Sequence, residues 1–192
     1  SWPIYAIGIE YSLLPLSTGS MTMDALDKWT WMYEHGGWDL AQKAFDKINL
    51  QLVGLEIWGS EVMMSKKPFK SLSDMAGTKM RTSDPRLIAE YGVAGISMPL
   101  EEVFTAMSQG AVESAEFGHL KYNESLGLVD ISDYAIYPDF WNVHFVTTVV
   151  VNKDAWNSLP RDLQLIVENA FKAHELRHWT SSQYESAQIM KE

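Results

Sequence analysis

Two runs of the chain carry the strongest strand signals. Leu50 to Trp58 (LQLVGLEIW) is largely apolar and has the length of a buried strand. Phe145 to Asn152 (FVTTVVVN) is the richest β-branched run and belongs in a sheet centre, where stiff side chains pack on a pleated surface. Ahead of them, Ser20 to His35 reads as a helix that Ser20 or Thr22 can cap. Asp24 and Asp27 sit in its early turns and Gly36-Gly37 stops it. A second short helix follows from Trp38 to Lys47.

Between the two strong runs, short elements alternate. Ser71 to Ala76 is one capped helical turn, Thr78 to Arg81 a strand, and Asp84 caps a helix that has Pro85 at its first position and Gly92 after its end. Ile96 to Met98 is a strand, Leu100 to Gln109 a helix ended by Gly110, and Val112 to Phe117 a strand. This alternation predicts βαβ units, an α/β fold and a mainly parallel sheet. Pro160 opens a helical stretch to the C-terminus, with Leu163, Ile166, Val167, Ala170 and Phe171 as its apolar stripe. At 1.5 Å per residue it would reach roughly 50 Å. So long a terminal helix is expected to clamp two lobes or to pack against a second protomer, which makes a homodimer through this helix one expectation.

Composition narrows the function. The chain has 192 residues, enough for one large domain or two small lobes, and no cysteine, which rules out disulfides and thiolate chemistry. Its net charge is −10, so nucleic acid is not expected as a partner. An acidic protein that binds an anion must concentrate a few cations at one spot, and individual Arg residues become informative. No run of about eighteen apolar residues exists. Ser1-Trp2-Pro3 opens the chain without a charged or apolar leader, so the expected signal peptide is absent from this chain.

Two clusters of residues suggest chemistry. His174-Glu175-Leu176-Arg177-His178 fits H-E-x-x-H, which on a helix places two His on one face to hold zinc, with the Glu as general base; a small zinc hydrolase is therefore one reading. Nucleotide fingerprints and a G-x-S-x-G serine are absent. Arg81 ends a short strand and precedes the helix start Thr82-Ser83-Asp84-Pro85, a natural place for a carboxylate receptor.

Three blocks then agree with one family. Lys67-Pro68-Phe69-Lys70-Ser71-Leu72-Ser73-Asp74-Met75-Ala76-Gly77-Thr78-Lys79-Met80-Arg81 resembles the run P-x-K-S-x-x-D-x-x-G-x-K-x-R of TRAP-transporter solute-binding proteins, the DctP-like family. The stretch Met98 to Glu116 is similar to that family's P-x-x-E-x-Y-x-A-L-Q-x-G-x-V-D-G-x-E, and Val151 to Pro160 to its x-N-K-x-x-W-x-x-L-P. The resemblance covers nearly the whole chain but only about the last two-thirds of a family member. It implies a periplasmic capture protein, not an enzyme, with two α/β lobes and an incomplete first lobe that handles a small organic acid for the membrane subunits of a TRAP transporter. Residues 1–52 and 116–144 would belong to lobe I, 53–115 and 145–159 to lobe II, and 160–192 to the terminal helix. Arg81 matches the Arg that pairs with the acid's carboxylate. Phe117-Gly118 after Glu116 departs from the common Asn-Pro and points to the subgroup of 2-keto-acid and lactate binders. There Glu116 and the Phe117 carbonyl would ligate a Na⁺ or Ca²⁺ that bridges to the substrate, with Glu61 standing where the subgroup has a Gln. Tyr137-Pro138-Asp139-Phe140-Trp141 resembles that subgroup's Y-Y-P-G-W, with Trp141 and Trp58 as pocket walls. A fragment unable to bind remains the third reading.

Overall fold

The structure is a computed structural model that describes residues 23–83, 85–140 and 145–191. The expected caps Ser20 and Thr22, and Asp84 and Trp141, lie outside the described residues. The chain divides into two compact units: unit 1 takes residues up to Gly59 and His144–Tyr184, and unit 2 takes Ser60–Val143 and Glu185–Glu192. This departs from the division expected above. Residues 116–140 belong with unit 2 and 145–159 with unit 1, because strand pairing across a large sequence distance decides the grouping and leaves no local signature.

Unit 1 begins with α1 (Ala25–Glu34), whose N-cap Asp24 accepts a hydrogen bond from Asp27 N at 2.7 Å. Gly36, at φ +83°, turns the chain directly into α2 (Gly37–Asp46). Ala41, Ala44 and Phe45 form the buried stripe of α2. Strand β1 (Leu50–Gly59) runs antiparallel to a late strand, Phe145–Asn152, from Leu50↔Asn152 to Gly59↔Phe145, with register shifts between Leu52 and Gly54 and between Ile57 and Gly59. Leu52, Leu55, Ile57, Phe45, Met32 and Val146 make the unit's core.

Unit 2 is built on a five-stranded sheet. Its elements are β2 (Met63–Ser65), a 3-10 turn (Leu72–Met75), β3 (Lys79–Arg81), α3 (Pro85–Ala89), β4 (Ala94–Ile96), α4 (Leu100–Ser108), β5 (Ser114–Glu116), α5 (Leu120–Ser125) and β6 (Tyr134–Ile136). The strand order is β4-β3-β5-β2-β6. Ser71 and Asp74 close a capping box at the 3-10 turn, as the sequence predicts. Neighbouring residues of β2 part to opposite faces: Met63 joins a cluster with Met75, Met80 and Ile88, and Met64 one with Val103, Met107 and Leu128. The sheet is thus covered on both sides, which is why its inner strands β2 and β5 are buried at every position rather than alternating.

The unit 2 sheet is mixed rather than mainly parallel, and the β1 pairing of unit 1 is antiparallel. β3 pairs in parallel with β4 and β5, but β2 is antiparallel to both β5 and β6. The handed βαβ rule binds only strands joined by a crossover helix, and β2 follows β1 with no helix between them.

The chain closes with β7 (Phe145–Asn152), α6 (Lys153–Asn157), capped by Asn152 Oδ1 accepting from the N–H groups of Asp154 and Ala155, and α7 (Arg161–Ile189). Residues of α7 up to Tyr184 belong to unit 1 and its last turn to unit 2. In unit 1, α7 lies so close to β1 that a Cβ at Gly54 would sit 2.6 Å from Phe171 Cβ.

Candidate ligand and cation site

Topology brings four chain segments to one edge of the unit 2 sheet. β3, β5 and β6 point their carboxyl ends there, and antiparallel β2 points its amino end there. Arg81 ends β3, Glu116 ends β5, Asp139 lies three residues beyond β6, and Glu61 lies two residues before β2. Ligand sites favour such an edge because loops leave it while the strands hold it rigid.

The four side chains are buried: Arg81 is 6% exposed, Glu61 2%, Glu116 1% and Asp139 1%. One carboxylate oxygen from each of Glu61, Glu116 and Asp139 lies within 4.8 Å of the others. Three donors converge on Glu116 Oε1, namely Thr82 Oγ1–H at 2.8 Å, Ser83 N–H at 2.8 Å and Ser83 Oγ–H at 2.9 Å. Its backbone carbonyl accepts from Arg81 Nη1 at 2.7 Å, and the Arg81 guanidinium lies 5.2 Å from the Phe117 ring centroid. Glu61 Oε1 accepts from Gly118 N at 3.0 Å, and Glu61 O from Asp139 N at 3.1 Å. The Phe117 carbonyl accepts from Asn123 Nδ2.

Two polar atoms of this group have no hydrogen-bond partner among the described residues: Arg81 Nε, a donor, and Asp139 Oδ2, an acceptor. Burial raises the Asp139 carboxyl well above the usual carboxylate range, and the charges of Glu116 and then Glu61 push it the same way. Three buried carboxylates facing one another beside Arg81 carry a desolvation and repulsion cost that a bound cation would relieve. An all-oxygen donor set of this kind fits a hard cation such as Ca²⁺ or Na⁺, and the unpaired guanidinium N–H fits an acid carboxylate.

Sequence reasoning placed Arg81, Glu116, Phe117 and Glu61 at the site, and the fold brings these four together. Trp58 belongs to unit 1, where its Nε1–H donates to Thr147 Oγ1 at 3.3 Å. Asp139, Thr82, Ser83 and Asn123 were not singled out. Asp139 follows Pro138 within the Tyr137–Trp141 block, but it stands where the related pattern carries a Gly.

The family model for bacterial extracellular solute-binding protein, family 7 (DctP), matches residues 22–192. The chain belongs to this family. A monocarboxylate 2-oxoacid-binding periplasmic protein of Nostoc sp. is 29% identical over 171 residues, covering 86% of this chain and 46% of that protein. Among solved structures, a TRAP periplasmic solute-binding protein of Colwellia psychrerythraea with bound calcium and pyruvate aligns at TM-score 0.86 and 25% identity, over 100% of this chain and 59% of that one. One from Pseudoalteromonas atlantica with bound sodium and pyruvate aligns at TM-score 0.85 and 23% identity, over 100% of this chain and 59% of that one, and shares the fold. This family 7 chain spans about half the length of the curated relatives it matches.

Membership in a solute-binding family removes the hydrolase reading, and the geometry agrees. Glu175, the base that reading requires, is 0% exposed and accepts from Tyr33 OH at 2.6 Å, Trp29 Nε1 at 2.8 Å and Leu55 N at 2.8 Å. A fully buried carboxylate that already accepts from three donors is a structural tie and is not available to activate water. A surface cavity of about 330 Å³ in unit 1, beside Tyr33 and Trp38, is a poor alternative ligand site. Its cation Lys172 lies over the Tyr33 ring, and one of its two acids, Glu168, pairs with Arg161.

Proposed function

We propose that this chain is part of a periplasmic capture protein of the TRAP-transporter type, which binds a short 2-keto or 2-hydroxy monocarboxylate and passes it to membrane subunits. The observation that carries the reading is the meeting of a buried Arg81, with an unpaired N–H, and three buried carboxylates at one sheet edge. Arg81 receives the acid's carboxylate. Glu116, Glu61 and Asp139, with the Phe117 carbonyl, hold a hard cation that cancels their charge and bridges to the acid's other oxygens. The names of the Nostoc and Colwellia relatives support this ligand class and this kind of cation. Trp141, two residues past Asp139, is proposed as an apolar wall that limits the acyl chain.

A thermal-shift screen of pyruvate, lactate and C4-dicarboxylates, each with and without Ca²⁺, tests the reading. A ligand held at 100 times its dissociation constant adds about 2.7 kcal/mol to the folded state. The expected result is a rise in Tm with one monocarboxylate that grows when Ca²⁺ is added. A flat screen in both conditions overturns it and favours a non-binding fragment, which the chain's half-length match to its relatives makes the second reading.

A further inference from the structure

The HELRH segment loses its catalytic reading but keeps an unexplained arrangement on the same helix, within unit 1. Phe171, His174 and His178 are spaced i, i+3 and i+7 and so share one face of α7. Gly54, Glu56 and Trp58 share one face of β1. The two faces meet: Phe171 sits against Gly54, and the Trp58 and His178 rings meet edge-on at 5.3 Å. Between these contacts, Nε2 of His174 and Nε2 of His178 each lie 3.9 Å from Glu56 Oε1, and the two imidazole rings are 5.4 Å apart.

The tautomer of His178 follows from its other nitrogen. Nδ1 faces the Ile57 carbonyl at 3.1 Å, and a carbonyl only accepts, so Nδ1 carries the hydrogen. In the neutral ring, Nε2 then turns a lone pair toward a carboxylate oxygen. This is how metal-ligating histidines are oriented, with a backbone carbonyl on the far nitrogen. Glu56 is itself held, since Oε2 accepts from Thr147 Oγ1 at 3.3 Å.

We propose that His174, His178 and Glu56 form a non-catalytic site for a first-row divalent metal of the zinc type, pinning α7 to β1. Two imidazoles and one carboxylate suit Zn²⁺, Ni²⁺ or Cu²⁺ and not the hard cations suited to the all-oxygen cluster of unit 2. With metal–ligand bonds near 2.0–2.2 Å, donor atoms in a tetrahedral shell stand roughly 3.3 Å apart. Each imidazole lies 3.9 Å from Glu56 Oε1 but the two ring centroids are 5.4 Å apart, so closing the shell takes a change of rotamer, which the half-exposed His174 can make. The motif's Glu175 points to Trp29, Tyr33 and Leu55, so it neither competes for the metal nor acts on a metal-bound water.

The test is calorimetric titration of chelator-treated protein with Zn²⁺ while Ca²⁺ is kept in excess to saturate the oxygen cluster. One equivalent of Zn²⁺ should bind, and both His174→Ala and His178→Ala should weaken binding at least ten-fold. Glu56→Gln should weaken it by several-fold. Asp139→Asn should leave it unchanged, which separates this site from the cation site proposed for the ligand. Co²⁺ should give visible bands in wild type that both His variants lose. His174→Ala, half exposed, keeps the test valid if His178→Ala fails to fold. The proposal is overturned if wild type binds no Zn²⁺, or if both His variants bind it as tightly as wild type.

Discussion

At the scale of single residues, buried charge organises this molecule. Arg81 donates to a backbone carbonyl with one nitrogen and keeps Nε–H without a partner among the described residues. Arg81→Ala should therefore weaken monocarboxylate binding by about a hundred-fold or more, and Arg81→Lys should recover only part of it, because an ammonium cannot bond a carboxylate two-pronged. A direct titration of the acid reads both. Asp139→Asn removes one of three mutually repelling carboxylates, so it should raise the Tm of cation-free protein and shrink the further rise that Ca²⁺ causes. Lys28 is a separate case: it is 4% exposed, its Nζ has no partner among the described residues, and burial lowers its pKa to about 8 from 10.5. Between those values the unfolded chain holds the proton and the folded chain does not. Stability should thus rise with pH from about 8 to 10.5, and the charged Lys should cost about 3 kcal/mol below that window. Lys28→Met should raise stability by up to that amount at pH 7, with the difference from wild type vanishing above pH 10.5 in parallel urea melts. Of the site residues, Arg81, Glu116 and Phe117 were legible because they lie in contiguous, patterned blocks. Thr82 and Ser83 were not: they read only as the opening of a helix, and only the fold turns their donors onto Glu116.

At the scale of elements, what could be read depended on length. β1 and β7 span enough positions for apolar and β-branched character to accumulate, and α7 has Pro160 to mark its start. β2 and β6 have three residues each, MMS and YAI, too few to show a period of two. Both escaped notice, and with them the antiparallel half of the unit 2 sheet. The close seat of α7 on β1 was equally hidden, since it depends on the absence of a side chain at Gly54. Gly54→Ala places a methyl 2.6 Å from Phe171 Cβ, inside contact distance, and should destabilise unit 1 by about 1–3 kcal/mol. Chemical denaturation measures it. The double variant Gly54→Ala with Phe171→Ala should cost less than the sum of the singles, because the clash is shared.

At the scale of the whole chain, unit 2 is inserted between two strands that pair with each other. β1 ends at Gly59, β7 begins at Phe145, and these two residues are partners in the same ladder. The insertion explains why a linear reading split the chain in the wrong places: no local pattern reports that Leu50 waits for Asn152. It also sets an order in time. During synthesis at about 5–20 residues per second, β1 emerges and then stands without its partner for several seconds, until the inserted segment and the whole of β7 have been made. For that interval Leu50–Gly59 is an apolar strand with an open edge, the form in which one chain templates another. Unit 2 can assemble meanwhile, since all five strands of its sheet lie within the inserted segment. Crowded nascent chains would therefore associate through β1 before anything else, and a binding chaperone that shields this one decapeptide would do most of the work of keeping them apart.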